Sequence, residues 1–314
     1  MTNRIQRFIV FLLVLCIPIF AIAGCTNNDV ANAANQVTTN ANGIYSIDTK
    51  TTTPEGKLDV YMLDIGQGDA ILLKVGDEYS MIDTGDIEHR ENIVAQLKAM
   101  GVTKLKNIII THPHADHMGG FYAIAKAMPI EHVYDDGIAV DNNMYKTYEK
   151  LIEKNKIQRT TLRSGDVVDF GHGAVFVVYA PWVEPLTDKK GETDLNNNSI
   201  VGKLIFGKFS MLFTGDAELQ EEKKLIKEQN SRLFSRILKV GHHGSRTSSS
   251  EDFLKSIRPE SALISNGMYN KYGHPHDVTL RRLQENNIAI YRTDTMGRIH
   301  ISTDGNEWQI TTER

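Results

Sequence analysis

An apolar run, Ile108-Ile109-Ile110, leads directly into Thr111-His112-Pro113-His114-Ala115-Asp116-His117, which packs four potential metal ligands into six residues. No other feature restricts the chain so sharply. The isoleucines read as a fully buried strand. The histidines therefore sit on a loop at a strand end, where a rigid scaffold presents chemistry. His112 and His114, two apart on an extended segment, can converge on one ion. Asp116 and His117 open a helix expected over 116–128 and can hold a second ion close by. Imidazole together with carboxylate suits zinc, manganese or iron.

The other histidines repeat the arrangement. Of eleven in the chain, seven fall in three tight groups: the loop above, His242 with His243, and His274 with His276. Each group follows an expected strand. Strands are expected at 58–64, 70–75 and 79–83, then strand–helix alternation to about residue 155. The second half repeats the order, with strands at 167–170, 175–180, 199–206 and 210–214 before further strand–helix units. Strands first and strand–helix units after, twice over, favour two sheets face to face with helices outside. That is an α/β fold, a four-layer αββα sandwich.

His-x-His-x-Asp-His followed by Met118-Gly119-Gly120 resembles the metal motif of the metallo-β-lactamase superfamily. Met81-Ile82-Asp83-Thr84-Gly85, Leu212-Phe213-Thr214-Gly215-Asp216 and Lys239-Val240-Gly241-His242-His243-Gly244-Ser245 resemble the other motifs of that superfamily, in order. Within it, three further segments look like the hydrolase domain of ComEC-type competence proteins: Leu63-Asp64-Ile65-Gly66-Gln67-Gly68-Asp69-Ala70, Asn197-Asn198-Ser199-Ile200-Val201 and Tyr272-Gly273-His274-Pro275-His276. Phosphorylcholine esterases of the same fold share the Asn-rich strand start and the His-His pair.

The resemblance implies a dinuclear site holding two divalent ions, zinc foremost and manganese as the alternative. His112 and His114 would hold the first ion, and Asp116, His117 and His242 the second. Asp216 would bridge them, and Asp83 would support a ligating histidine. Asp116, His243 and His274 are the expected catalytic residues, with His243 facing substrate or pairing with His242. One departure stands out. The family's third histidine on the first ion is absent, and Asn197 or Asn198 occupies its position. Asn198 is therefore expected beside the first ion, unless His274 completes the site.

The implied reaction is hydrolysis of a phosphodiester by water activated between the ions, with nucleic acid or an envelope polymer as substrate. Hydrolysis of a carboxylic ester, thioester or lactam is the alternative within enzymes, and a non-catalytic binding lipoprotein the alternative outside them.

Residues 1–24 read as a targeting segment. Arg4 and Arg7 precede an apolar stretch, Phe8 to Ile22, and Ile22-Ala23-Gly24-Cys25 resembles a lipoprotein cleavage site. At about fifteen residues the stretch is short for a bilayer, which needs about twenty. The expectation is a lipid on Cys25 and an extracytoplasmic, membrane-anchored protein. Residues 25–56 read as a flexible tether poor in large apolar side chains, and 57–314 as the hydrolase domain. The chain has two cysteines, Cys16 inside the expected signal, so neither a disulfide scaffold nor a cysteine zinc finger is available.

The net charge of −4 excludes a protein that binds polyanions by bulk charge. Lys223-Lys224, set among Glu218, Glu221 and Glu222, reads as a solvated helix face. No protein partner is indicated.

Overall fold

The computed structural model describes residues 54–314, together with a short pairing of Thr38–Thr39 with Tyr45–Ser46. The expected signal segment, Cys25 and most of the tether lie outside the described residues. Among those described, no helix is long and apolar enough to cross a membrane.

Alternate residues along the strands face different layers, as the period-two geometry of a strand requires. In β1 (Leu58–Met62) and β2 (Ala70–Val75), Val60, Met62, Ile71 and Leu73 point into one apolar layer. Leu72, between two of them, points into another. The same switch occurs in the second half. Phe176 and Val178 of one strand join the layer that holds Val60. Val175, Val177 and Tyr179 of that strand join a third. Each central strand is buried on both faces, so two sheets stack with helices on both outer sides. This is the αββα sandwich.

The first sheet continues with β3 (Glu78–Thr84), β4 (Leu105–Ile109), β5 (Ile130–Asp135) and β6 (Gln158–Thr161). The second comprises β7 (Val167–Gly171), β8 (Ala174–Ala180), β9 (Val201–Phe206), β10 (Phe209–Phe213), β11 (Ile237–Lys239), β12 (Ser261–Ile264) and β13 (Ala289–Arg292). The chain then returns to the first sheet as β14 (Ile299–Thr303) and β15 (Trp308–Thr312), where β14 pairs antiparallel with β1. In each sheet antiparallel hairpins precede parallel strands: β3, β4, β5 and β6 are parallel, as are β10, β11, β12 and β13. The helices used below are α1 (Arg90–Ala99), α2 (Ala115–Met118), α3 (Phe121–Ala127), α4 (Asn143–Asn155), α5 (Leu219–Gln229), α6 (Glu251–Ile257) and α7 (Asp277–Glu285).

The helix expected over 116–128 is two helices. Gly119 and Gly120 separate α2 from α3, and a Cβ on either would collide with backbone, Ala115 O at Gly119 and Thr84 O at Gly120. The break holds α2 against the end of β3, where Thr84 Oγ1 donates to His117 O at 3.0 Å. Strand β6 was missed because Gln158-Arg159-Thr160-Thr161 is polar and exposed throughout, as an edge strand can be. His132 bonds Thr160 there, away from the other histidines.

Candidate metal centre

The histidine loop leaves the C-terminal end of β4, between β3 and β5. Asp83, next to last in β3, is in a left-handed conformation at φ 58. Such strain persists only where surrounding contacts impose it. Here Asp83 Oδ1 accepts from Thr111 N at 2.7 Å, and Oδ2 accepts from Thr111 Oγ1 at 2.8 Å. Oδ2 also lies 2.8 Å from His117 Nδ1. A carboxylate on Nδ1 fixes the ring and leaves Nε2 free to bind a metal. The expectation for Asp83 thus has a geometry that fits it.

Asp216 arrives from the second sheet, just past β10. Gly215 makes the turn at φ 48, and a Cβ there would meet Ser199 Oγ at 2.9 Å. The two oxygens of Asp216 face different histidines. Oδ1 is 3.2 Å from His117 Nε2 and 3.6 Å from His243 Nε2. Oδ2 is 3.8 Å from His112 Nε2. One donor group comprises Asp116, His117, Asp216 and His243, and another His112, His114 and Asp216; within each, the ligand atoms lie within 4.8 Å of one another. Asp216 is the shared member.

The site tests well as a cation site. His117 Nε2, His243 Nε2 and Asp216 Oδ1 are buried and have no hydrogen-bond partner among the described residues. Orphaned buried polar atoms are rare and call for an explanation. Three of them converging from two sheets fit an ion.

Electrostatics agree. Burial pushes His117 down, yet Asp216 and Asp83 raise it well above the usual histidine range. Burial likewise opposes charge on His243, but Asp216, Asp116 and Asp69 bring it up to about 10. These imidazoles sit in a field that favours positive charge, whether proton or metal. His112 is the reverse: burial and the neighbouring His117 hold it well below its ordinary value, so its lone pair is free.

The His-His pair corrects one assignment. His243, not His242, belongs to the group with Asp116 and His117. Both residues take left-handed backbone, at φ 47 and 52, so successive rings leave the chain in different directions. His243 is 1% exposed, its Nε2 is 3.2 Å from Asp116 Oδ2, and its Nδ1 is 2.9 Å from Ser265 O. His242 turns toward solvent, with Nδ1 held at 2.9 Å by Glu218 Oε1. Its Nε2 lies 3.7 Å from Asp216 Oδ2, on the rim.

Asn198 is also corrected. Its Oδ1 accepts from Leu186 N, and its Nδ2 donates to Leu186 O and Asp194 O, at 2.7–2.8 Å. Its amide oxygen and nitrogen are both engaged in pinning the loop between β8 and β9, and it belongs to neither donor group. Asn197 similarly serves Asp194 and Glu221 N. The next residue, Ser199, stands nearer: its Oγ is 3.4 Å from His112 Nδ1 and accepts from Asp216 N at 3.1 Å.

His274 is buried but belongs to neither donor group. Its ring centre is 5.3 Å from His242 and 6.2 Å from His243, and its Nδ1 has no hydrogen-bond partner among the described residues. Burial, then His242, His243 and His276, lower it to about 4. It is neutral at pH 7 and offers a lone pair rather than a charge.

Lys239 and Asp69 went unassigned in the sequence. Lys239 Nζ is 2.6 Å from Asp69 Oδ2, and both residues are 1% exposed. Asp69 Oδ1 lies 3.5 Å from His243 Nδ1, and Asp69 N donates to Asp116 O at 2.9 Å. Breaking such a buried pair costs about 3–5 kcal/mol, because the remaining charge stays buried. The available signal was the Gly-rich segment ending at Asp69, whose partner lies in another sheet.

Residues 63–267 match the metallo-beta-lactamase superfamily. Among curated proteins, Competence protein ComA of Neisseria gonorrhoeae is 31% identical over 247 residues, covering 78% of this chain and 32% of the relative. ComE operon protein 3 of Bacillus subtilis is 30% identical over 264 residues, covering 78% of this chain and 33% of that protein. The chain therefore spans about a third of the length of these relatives. Among solved structures, the metallo-beta-lactamase fold protein YhfI from Bacillus subtilis aligns with a TM-score of 0.53 at 11% identity, over 79% of this chain and 100% of that one. That likeness concerns fold alone. With this match, fold and donor arrangement together, the chain belongs to the metallo-beta-lactamase superfamily of metal-dependent hydrolases.

Proposed function

We propose that the protein is an extracytoplasmic phosphodiesterase of the nuclease type, dependent on two divalent ions. The observation that carries the reading is the division of Asp216 between two donor groups, one on each oxygen. Two ions so bridged would acidify a water and offset charge on phosphoryl oxygens.

The chain's own residues do the rest. His112 and His114 form one side, while Asp116, His117 and His243 form the other. Asp83 holds His117 in its tautomer. Lys239 and Asp69 brace the underside of His243. His274, neutral and unpartnered, accepts a hydrogen bond from the substrate or its water. In hydrolysis the water oxygen bonds to phosphorus, one P–O ester bond breaks, and the leaving oxygen takes the water's second proton. His242 stands at the rim of the site, held by Glu218. The names of two relatives, Competence protein ComA and Recombination protein 2 of Haemophilus influenzae, favour nucleic acid over an envelope polymer.

Loaded with zinc or manganese, the chain is expected to bind about two equivalents and to hydrolyse bis(p-nitrophenyl) phosphate. Two bound equivalents with turnover of a thioester or lactam, and none of any phosphodiester, would refute the reaction class.

Location rests on the N-terminal pattern. Cys25→Ser is expected to move the protein from the membrane fraction to the soluble one, since lipid on Cys25 is the proposed anchor. Unchanged partitioning with residues 1–24 retained would point to an uncleaved anchor.

A further inference from the structure

Beside the metal centre lies a cleft of about 900 Å³. Three of its walls carry cations: Lys223, Lys224 and Lys227 on α5, Arg246 on the loop after the His-His pair, and Arg282 on α7. None of the five forms an ion pair among the described residues.

The acids that make α5 look balanced in sequence point elsewhere. Glu221 and Glu222 are 0% and 1% exposed, on the core side of the helix, and Glu222 is bound by Ser249 N and Ser250 N. The acids that do line the cleft, Glu218 and Glu228, are engaged, Glu218 by His242 and Thr247 and Glu228 by Trp182 Nε1. Lys223 and Lys224 do lie on the solvated side of the helix, but Glu221 and Glu222 are not beside them there to balance their charge. The cleft is a local positive field on a negatively charged chain, the arrangement that steers and holds an anion.

The approach past His274 is aromatic. Tyr269 is 97% exposed and Tyr272 51% exposed. Asn270 braces their loop, accepting from Tyr272 N and His274 N and donating to Gly267 O and His274 O. Tyr272 stacks on His274 with ring centres 5.6 Å apart. A continuous path of contacts thus runs from the cleft wall at Glu218, through His242 and His274, to Tyr272.

We propose that this path is the track of a single-stranded nucleic acid, with its phosphates in the Lys223–Lys227–Arg246–Arg282 cleft and its bases laid on Tyr272 and Tyr269. Backbone cations combined with aromatic platforms are how unpaired strands are held. The inference rests on the phosphodiesterase reading and adds where the strand beyond the scissile bond is gripped.

The test is binding of a fluorescein-labelled oligothymidylate of about 20 nucleotides to the full chain without divalent ions, by anisotropy. Lys223→Glu, Lys227→Glu and Arg246→Glu combined should weaken binding at least about tenfold and lower the slope of log K against log salt by about two. The three side chains are exposed; should the charge reversal disturb folding, the triple glutamine variant is measured instead. Tyr269→Ala with Tyr272→Ala should weaken oligothymidylate binding about tenfold, while leaving inorganic polyphosphate binding as it was. Unchanged oligothymidylate affinity in the triple variant overturns the cleft. Equal affinity for polyphosphate, together with no effect of the tyrosines, overturns the nucleic acid in favour of a polyanion without bases. Bis(p-nitrophenyl) phosphate turnover by the parent reports separately on the reaction, so its failure is distinct from failure of the track.

Discussion

Asp216→Ala should yield a folded chain that has lost both metal ions and, with them, phosphodiester turnover by on the order of 10³-fold or more. The expectation follows from its place in both donor groups. Without the carboxylate, the ligand faces of His117 and His243 lose the group they share with His112. Asp116→Ala is the comparison: Asp116 belongs to one group alone, so it should cost one ion while the His112–His114–Asp216 ion remains. Metal counting by mass spectrometry reads both, and circular dichroism checks the fold. Retention of two equivalents by Asp216→Ala would remove the bridging assignment, and with it the observation on which the proposed function stands.

The second large effect separates two adjacent histidines. His243→Ala is expected to strip the ion held with Asp116 and His117 and to lower turnover by about 10²–10³-fold. His242→Ala should keep that ion and cost less. The reasoning is geometric: His243 Nε2 is buried against two carboxylates, whereas His242 is committed to Glu218 at the rim. Glu218→Gln offers a check on the latter, since it weakens the hold on His242 without touching His243. A larger metal loss in His242→Ala than in His243→Ala would reverse the correction.

The layered fold and half of the centre were legible because their signals are local. Near-continuous apolar runs such as Ala70–Val75 and Ala174–Ala180 mark strands buried on both faces, as two stacked sheets between helices require. Ile-Ile-Ile before the histidine loop marks a strand end, and a strand end aims adjacent side chains into one space. His112, His114, Asp116 and His117 therefore come together within a single loop, and Asp216 joins them from the end of a second strand that reads as clearly.

What the tertiary structure decided concerns groups whose partners are far along the chain. Spacing cannot choose between His242 and His243, since both rings hang from one turn. Two successive left-handed residues and a glutamate 24 residues upstream make the choice. Asn198 sits at the right place in the motif, but its amide is claimed by the backbone of Leu186 and Asp194. Lys239 and Asp69 meet only when two sheets stack. The charge of the cleft depends on which face of α5 turns inward: helical geometry takes Glu221 and Glu222 into the core and leaves the lysines outside, beside arginines from a loop and α7. Local sequence sets which groups are available; the packing of one sheet on the other sets which of them face each other.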